Sequence, residues 1–392
     1  MTKENAERPA QSAQRRIVIF NVNWLGDVLF STPAIKLLKQ SYPGAFISCI
    51  IPPHCREILE GNPNLDEIII YDEKGMHRSI FGKIRFIFSL RKGKFDKGFL
   101  FHRSFTRALI LFLAGVKERI GYANKKRAFL LTGNVIAYNK DKMHRADYYF
   151  DLVKSYLNFS RYRKVYNTFL TTEISQGKSL ESANEIGGRN FSKETDFKLD
   201  FFIPEKERTS AEKILADSGI VKDEPFVVFN PGGNWLAKRW IMKNFADLAQ
   251  RLVGECKIKV IISGSEKDAV LAEGISALTK VKLCNFCGKL TLKQAAALAK
   301  MARVFISGDS GPLHIAYASG ASVIGLYGPT ATLITGPYHA GNAVVIQKDV
   351  GCDIPCYKEG CQELRCMKAI TVEDVLERIK TIVYTPQAAS NT

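Results

Sequence analysis

No stretch of this 392-residue chain holds the roughly 18 to 20 consecutive apolar residues that a bilayer-spanning helix needs. The nearest candidate, residues 108–116, is far too short and is bounded by Arg107 and Lys117. The first residues, MTKENAERPAQSAQRR, lack the apolar core of a signal peptide, so residues 1–15 read as a disordered, solvated tail. These absences predict a cytoplasmic protein. No G-x-G-x-x-G follows the first strand, which disfavours a nicotinamide dehydrogenase. No helix-turn-helix, zinc-finger or RNP signature is present, which argues against a nucleic-acid partner. Acidic side chains are few: 39 Asp and Glu stand against 56 Lys and Arg, for a net charge of +17.

What is present is a globular composition and enough length for two domains with a core each. The positive charge is concentrated. Residues 74–127 hold 15 Lys and Arg against only Asp96 and Glu118. Such a block fits an anionic partner such as a phosphorylated lipid or membrane surface, or simply a solvated basic face. Five of the nine cysteines lie in or near apolar runs, where buried thiols are usual. The other four, Cys352, Cys356, Cys361 and Cys366, have the spacing C-x3-C-x4-C-x4-C. That cluster lacks the C-x2-C pairs typical of metal sites, and cytosolic disulfides are rare. A loop of reduced thiols is the favoured reading, with a metal or iron–sulfur site as the alternative.

Apolar runs alternate with helical periodicity through most of the chain. RIVIFNV (16–22), FISCII (46–51), DEIIIYD (66–72) and 97–101 read as strands, with helices at 32–42, 54–62, 79–91 and 106–114 between or after them. A helix is expected at 144–157, and the polar stretch 177–196 reads as a loop or mobile insertion. The alternation restarts at residue 205, with strands at 225–230, 258–264, 303–307 and 322–327. This pattern predicts an α/β protein of two doubly wound halves. The first spans residues 16–203 and the second residues 204–370, with a last helix at 371–384 packing back on the first domain.

Ligands of open α/β sheets bind at the carboxyl ends of the strands, and four strand-end turns carry chemistry. Gly308-Asp309-Ser310-Gly311 joins a strand to a helix, which aims backbone N–H groups and the helix dipole at one point. That suits a phosphate. Ser310 or Asp309 also suits a plain helix cap. Asp309 is a candidate acceptor for sugar hydroxyls, and His314 lies in the first turns of the same helix. After strand 225–230, Gly232 and Gly233 permit close backbone approach, and Lys238 offers charge to a phosphate or leaving group. After strand 258–264, Glu266 suits the vicinal hydroxyls of a ribose, or complements a helix dipole. In the first half, Asp27 ends the first strand's turn, where a carboxylate across a cleft serves as a base toward an acceptor hydroxyl or as a cap for helix 32–42.

The segments NWLGDVLFSTPAIKLLKQSYP, PGG with AKRW, SGSEKD and GDSGPLHIAYASGASVIGLYGPT resemble the ADP-heptose:lipopolysaccharide heptosyltransferases, glycosyltransferase family nine. The likeness runs from about residue 16 to about residue 380 and is weakest over 160–200. It implies a GT-B fold, two facing Rossmann-like domains with a central cleft. It also implies an inverting transfer that needs neither metal nor cofactor. The donor would be ADP-heptose, held mainly on the second domain, and the acceptor the lipopolysaccharide inner core at the inner face of the cytoplasmic membrane. Carried over by position, Asp27 matches the catalytic base. Lys238, Glu266, Asp309, Ser310, Gly311 and His314 match the donor-binding block, and Gly232 and Gly233 replace a Thr pair found in some members. The basic first domain gains a reason in the phosphates and carboxylates of the acceptor and in an anionic membrane surface. Arg103 and Arg107 are candidate acceptor contacts, or ordinary solvated charge. The alternatives are a GT-B enzyme for another nucleotide-sugar in cell-surface glycan synthesis and a non-catalytic nucleotide-binding scaffold.

Overall fold

The computed structural model describes residues 14–136, 142–172, 197–221, 224–339, 341–356, 358 and 361–384, with side chains of 159–172 left out. The expected loop at 177–196 and most of the expected tail lie outside the described residues.

Twelve strands are described, in two six-stranded sheets, and every pairing in both is parallel. The first sheet holds β1 (Arg16–Phe20), β2 (Phe46–Ile51), β3 (Glu67–Ile70), β4 (Lys97–Leu100), β5 (Glu118–Tyr122) and β6 (Gly133–Val135) in the order 3-2-1-4-5-6. The second holds β7 (Phe226–Asn230), β8 (Lys259–Ile262), β9 (Cys284–Asn285), β10 (Val304–Gly308), β11 (Val323–Tyr327) and β12 (Ala343–Gln347) in the order 9-8-7-10-11-12. Both are the doubly wound order, with topological switch points between β1 and β4 and between β7 and β10.

Parallel strands must be covered on both faces, and the side-chain period of two divides each strand between two cores. Ile17 and Ile19 of β1 point one way and Val18 and Phe20 the other, all fully or almost fully buried. Each such side chain contributes about 1.5–3 kcal/mol of transfer free energy. The inner cores of the two sheets run into one another: Ile17, Ile19 and Phe99 belong to the same apolar cluster as Val228, Phe305 and Tyr327. The outer faces have separate cores, one around Phe20 and Leu111, the other around Phe229 and Leu326.

Polar contacts also join the halves. Lys293 of helix Leu292–Met301 donates to the carbonyls of Glu60 (2.8 Å) and Phe202 (2.5 Å), in the first domain and the connecting stretch. On the other side, His144 Nε2 lies 2.9 Å from the Gly336 carbonyl, Tyr338 stacks on its ring, and the Tyr338 hydroxyl donates to Asp147 at 2.6 Å.

One expectation is corrected. The helix Val372–Tyr384 does not pack back on the first domain: Val375, Leu376 and Ile379 enter the outer core of the second sheet, against helix Met242–Gly254. The Trp240 indole, donating to the Ile370 carbonyl at 2.9 Å, anchors the chain to the second domain just before the helix begins.

Candidate active site at the junction of the two domains

β1 ends in a turn that starts the short helix Leu25–Phe30, and β10 ends in a turn that starts helix Gly311–Ala318. These two helices, one from each domain, meet. A Cβ placed on Gly26 would lie 3.2 Å from His314 Cδ2, and one on Gly311 would lie 3.3 Å from Leu25 Cβ. Glycine at both positions lets the two backbones approach. Asp27 therefore stands beside the start of helix 311–318.

Asp27 is half-buried and accepts a hydrogen bond from the Tyr149 hydroxyl at 3.0 Å. Burial raises its pKa above the usual carboxylate value. The Tyr149 hydrogen bond and the charges of Arg145 and His314 pull it back, and the Asp309 carboxylate adds to the rise. The result is a carboxylate more basic than a solvated one and reachable from the junction.

Across from it, Asp309 is the hub of the second domain's turn. It is 5% exposed. Lys238 Nζ lies 2.8 Å from Oδ2, the Thr335 hydroxyl donates to the same oxygen at 3.2 Å, and His314 Nε2 lies 3.1 Å from Oδ1. Burial alone would push its pKa up, but the hydrogen bonds and charges of His314 and Lys238 outweigh that and hold it well below the usual range. A carboxylate only accepts, so His314 Nε2 carries a proton. Nδ1 is buried and has no hydrogen-bond partner among the described residues.

Beneath this turn a buried polar chain ties three strand ends together. The Asn230 amide donates to the Ser263 carbonyl (2.8 Å), Ser307 donates to Asn230 (3.2 Å), and Ser307 and Ser310 hydroxyls share a hydrogen bond (3.0 Å). Ser310 caps the helix by accepting from the Leu313 N–H at 3.4 Å. The N–H groups of Ser310 and Gly311 precede the first helical carbonyl, so position alone leaves them without an intrahelical acceptor.

The remaining expected donor residues lie along the same carboxyl edge. Gly232 and Gly233 follow β7; Gly233 has φ of 147° and its carbonyl is gripped by Arg239 Nε (2.9 Å) and Nη2 (2.6 Å). Glu266 follows β8 with an exposed side chain, and the capping there is done by Ser265 and Asp268 instead. The two arginines diverge. Arg103 is exposed at the end of β4. Arg107 is neither an open contact nor solvated charge: it is 2% exposed, and donates to the Asn21 carbonyl (2.7 Å), Asn23 Oδ1 (2.5 Å) and Glu73 Oε2 (3.0 Å). It braces the turn leading to Asp27 from behind.

Residues that sequence reasoning missed are Tyr149 and Arg145 beside Asp27, and Thr335 on Asp309. The signal for the first two was the helix segment HRADYYFD, in which Arg145 and Tyr149, four residues apart, share a face. The four clustered cysteines are free thiols around a small cavity of about 70 Å³, next to Ala237 and Gly328. Burial raises the Cys366 thiol pKa above its usual value. Among the described residues no group of three or more His, Cys, Asp or Glu is arranged to hold a metal ion.

Two facing doubly wound domains, with the Asp309 turn at one switch point and the Asp27 turn at the other, have GT-B architecture. The family model described as glycosyltransferase family 9 (heptosyltransferase) matches residues 84–366, and the chain belongs to that family. It is 26% identical to lipopolysaccharide heptosyltransferase 2 of Salmonella typhimurium over 82% of this chain and 85% of the relative. Among solved structures it resembles a family 9 glycosyl transferase from Veillonella parvula (TM-score 0.75, 22% identity, 94% of this chain and 97% of the other). It also resembles the E. coli ADP-heptose lipopolysaccharide heptosyltransferase II (TM-score 0.71, 23% identity, 94% and 98%).

Proposed function

We propose that this enzyme transfers heptose from ADP-heptose to a hydroxyl of the lipopolysaccharide inner core, with inversion and without a metal. The observation that carries the proposal is the placement of Asp27 beside the Lys238–Asp309–His314 array across the domain junction. In the proposed step the acceptor O–H bond breaks and its proton passes to Asp27 as the acceptor oxygen forms a bond to the anomeric carbon. The anomeric C–O bond to the diphosphate breaks, and ADP leaves with the electron pair. Lys238 and the N–H groups at Ser310 and Gly311 take up the charge that develops on the diphosphate. The lysine has three N–H donors, so its contact with Asp309 leaves others for phosphate. His314 Nδ1 hydrogen-bonds the donor sugar, with Asp309 orienting the ring through Nε2. Exposed Glu266 is the proposed contact for the ribose hydroxyls of the donor. Arg103 is the candidate contact for acidic groups of the acceptor, and Arg107 acts only through the turn it braces.

The acceptor is lipid-linked in this proposal, so the enzyme works at the cytoplasmic face of the membrane as a peripheral protein. Among the described residues no helix is long and apolar enough to cross a membrane. The test is product formation from ADP-heptose and a truncated, water-soluble core fragment, run beside UDP- and GDP-sugars. Transfer from ADP-heptose alone, with the anomeric configuration inverted by NMR, is expected. Transfer from another nucleotide-sugar, or none, would replace this reading by one of its alternatives.

A further inference from the structure

Helix Ile80–Lys92 is apolar on two opposite faces. Phe86 and Leu90 are buried against the outer face of the first sheet. Ile80, Phe81, Ile84 and Phe88 point away from it and are 73%, 84%, 43% and 58% exposed, and Met76 in the preceding loop is 75% exposed. One apolar face suffices to seat a helix on a sheet. The second has no partner among the described residues, and contiguous exposed apolar surface of this kind marks an interaction site.

The charge along this segment has one sign. Residues 74–95 contain Lys74, Arg78, Lys83, Arg85, Arg91, Lys92 and Lys94, and no acid. On the helical wheel Arg85 and Lys92 border the exposed apolar face. Phenylalanine and isoleucine bordered on their own helix by lysine and arginine complement an anionic lipid surface, into which the rings insert while the cations meet headgroups; of the acids just outside this segment, Glu73 is paired with Arg107 and Asp96 with Lys117. A protein partner would have to supply an equally one-signed acidic rim.

The position fits the chemistry. The loop before this helix leaves the carboxyl end of β3, and in a parallel sheet that is the edge from which the Asp27 turn also leaves. Glu73 of this loop is bonded to Arg107 at 3.0 Å, and Arg107 holds the Asn21–Asn23 turn. Exposed Trp24 lies on the same edge.

We propose that the Ile80–Phe81–Ile84–Phe88 face of helix 80–92, with its Arg and Lys rim, docks the enzyme on an anionic bilayer. The choice of a bilayer over another anionic partner rests on the lipid-linked acceptor proposed above; the binding itself is measurable without it. The experiment is sedimentation of the full chain with vesicles of phosphatidylcholine alone, and of equal parts phosphatidylcholine and phosphatidylglycerol. Binding only to the anionic vesicles, weakened by salt, is expected. Phe81→Ser with Phe88→Ser should lower the partition coefficient about tenfold or more. Thermal stability and the rate on the water-soluble acceptor fragment should not change. Arg85→Glu with Lys92→Glu should remove the preference for anionic vesicles. The proposal is overturned if the unaltered protein sediments with neither vesicle, or if the Phe81, Phe88 double variant binds undiminished. A double variant that turns a dimer into a monomer, with vesicle binding unchanged, would also overturn it and assign the face to a second copy of this chain. Failure of the unaltered protein to transfer heptose to the soluble fragment would strike the proposed reaction and leave the vesicle result standing.

Discussion

The residues at the junction divide into groups that must stay charged and one that must gain a proton. Asp309 is nearly enclosed, whereas the Lys238 side chain is 24% exposed. The two halves of that pair are therefore unequal. Lys238→Ala strands a buried carboxylate and should lower the unfolding free energy by about 3 kcal/mol in a denaturant titration. Asp309→Asn leaves a lysine that turns to water, and should cost less. Equal losses would contradict the asymmetry. In the proposed reaction Asp27 is the proton acceptor, and the Tyr149 hydrogen bond favours its ionised form. Activity rises with pH as Asp27 loses its proton. Tyr149→Phe removes a group that lowers the pKa, so the acidic limb of kcat/KM should move to higher pH. A limb that moves down or stays put would remove Tyr149 from this role. Asp27 was singled out in the sequence by the segment NWLGDVLF, which carries the family resemblance, with a cap for helix 32–42 as the other reading. Its partner Tyr149 was not, since it comes from a helix 122 residues later and looks like core.

At the scale of elements, the close contact between helices 25–30 and 311–318 assembles the site. Gly26→Val would press methyl groups on His314, and overpacking of this kind costs about 1–3 kcal/mol. Urea denaturation should show that loss together with reduced turnover, and an unchanged midpoint would show that the helices have room. The long alternating elements were readable because parallel strands covered on both faces are continuous apolar runs, as in RIVIF and VIGLY. β5, β6, β9 and β12 were not singled out. β6 and β9 have only three and two residues, β12 is only partly buried, and β5 opens on the charged pair Glu118-Arg119. Arg107 was misjudged for a related reason: its place on helix Phe105–Leu113 follows from sequence, but its burial depends on Asn21, Asn23 and Glu73 from elsewhere in the domain.

The whole molecule is two domains held by a shared core and by titratable contacts. Burial pushes the His144 imidazole down to about 4, although its hydrogen bond to Gly336 opposes this. The folded protein thus keeps His144 neutral where an unfolded chain, with a pKa near ~6.5, takes up a proton. Stability from this group is present above about pH 6.5 and is lost as pH falls toward 4, by up to about 3 kcal/mol. Melting temperature followed across that window should fall on acidification, and His144→Gln should flatten the fall. An equal slope in both proteins would contradict the assignment.

The account stands on a division of labour: the second domain holds the donor, and Asp27 of the first takes the proton. Its most direct test is the Asp27→Asn variant, assayed for heptose transfer to the soluble fragment and, by calorimetry, for ADP binding. The account predicts turnover reduced by about 10²-fold or more with ADP affinity unchanged. Near-native turnover would show that another group is the base, and loss of ADP binding would show that Asp27 belongs to the donor site.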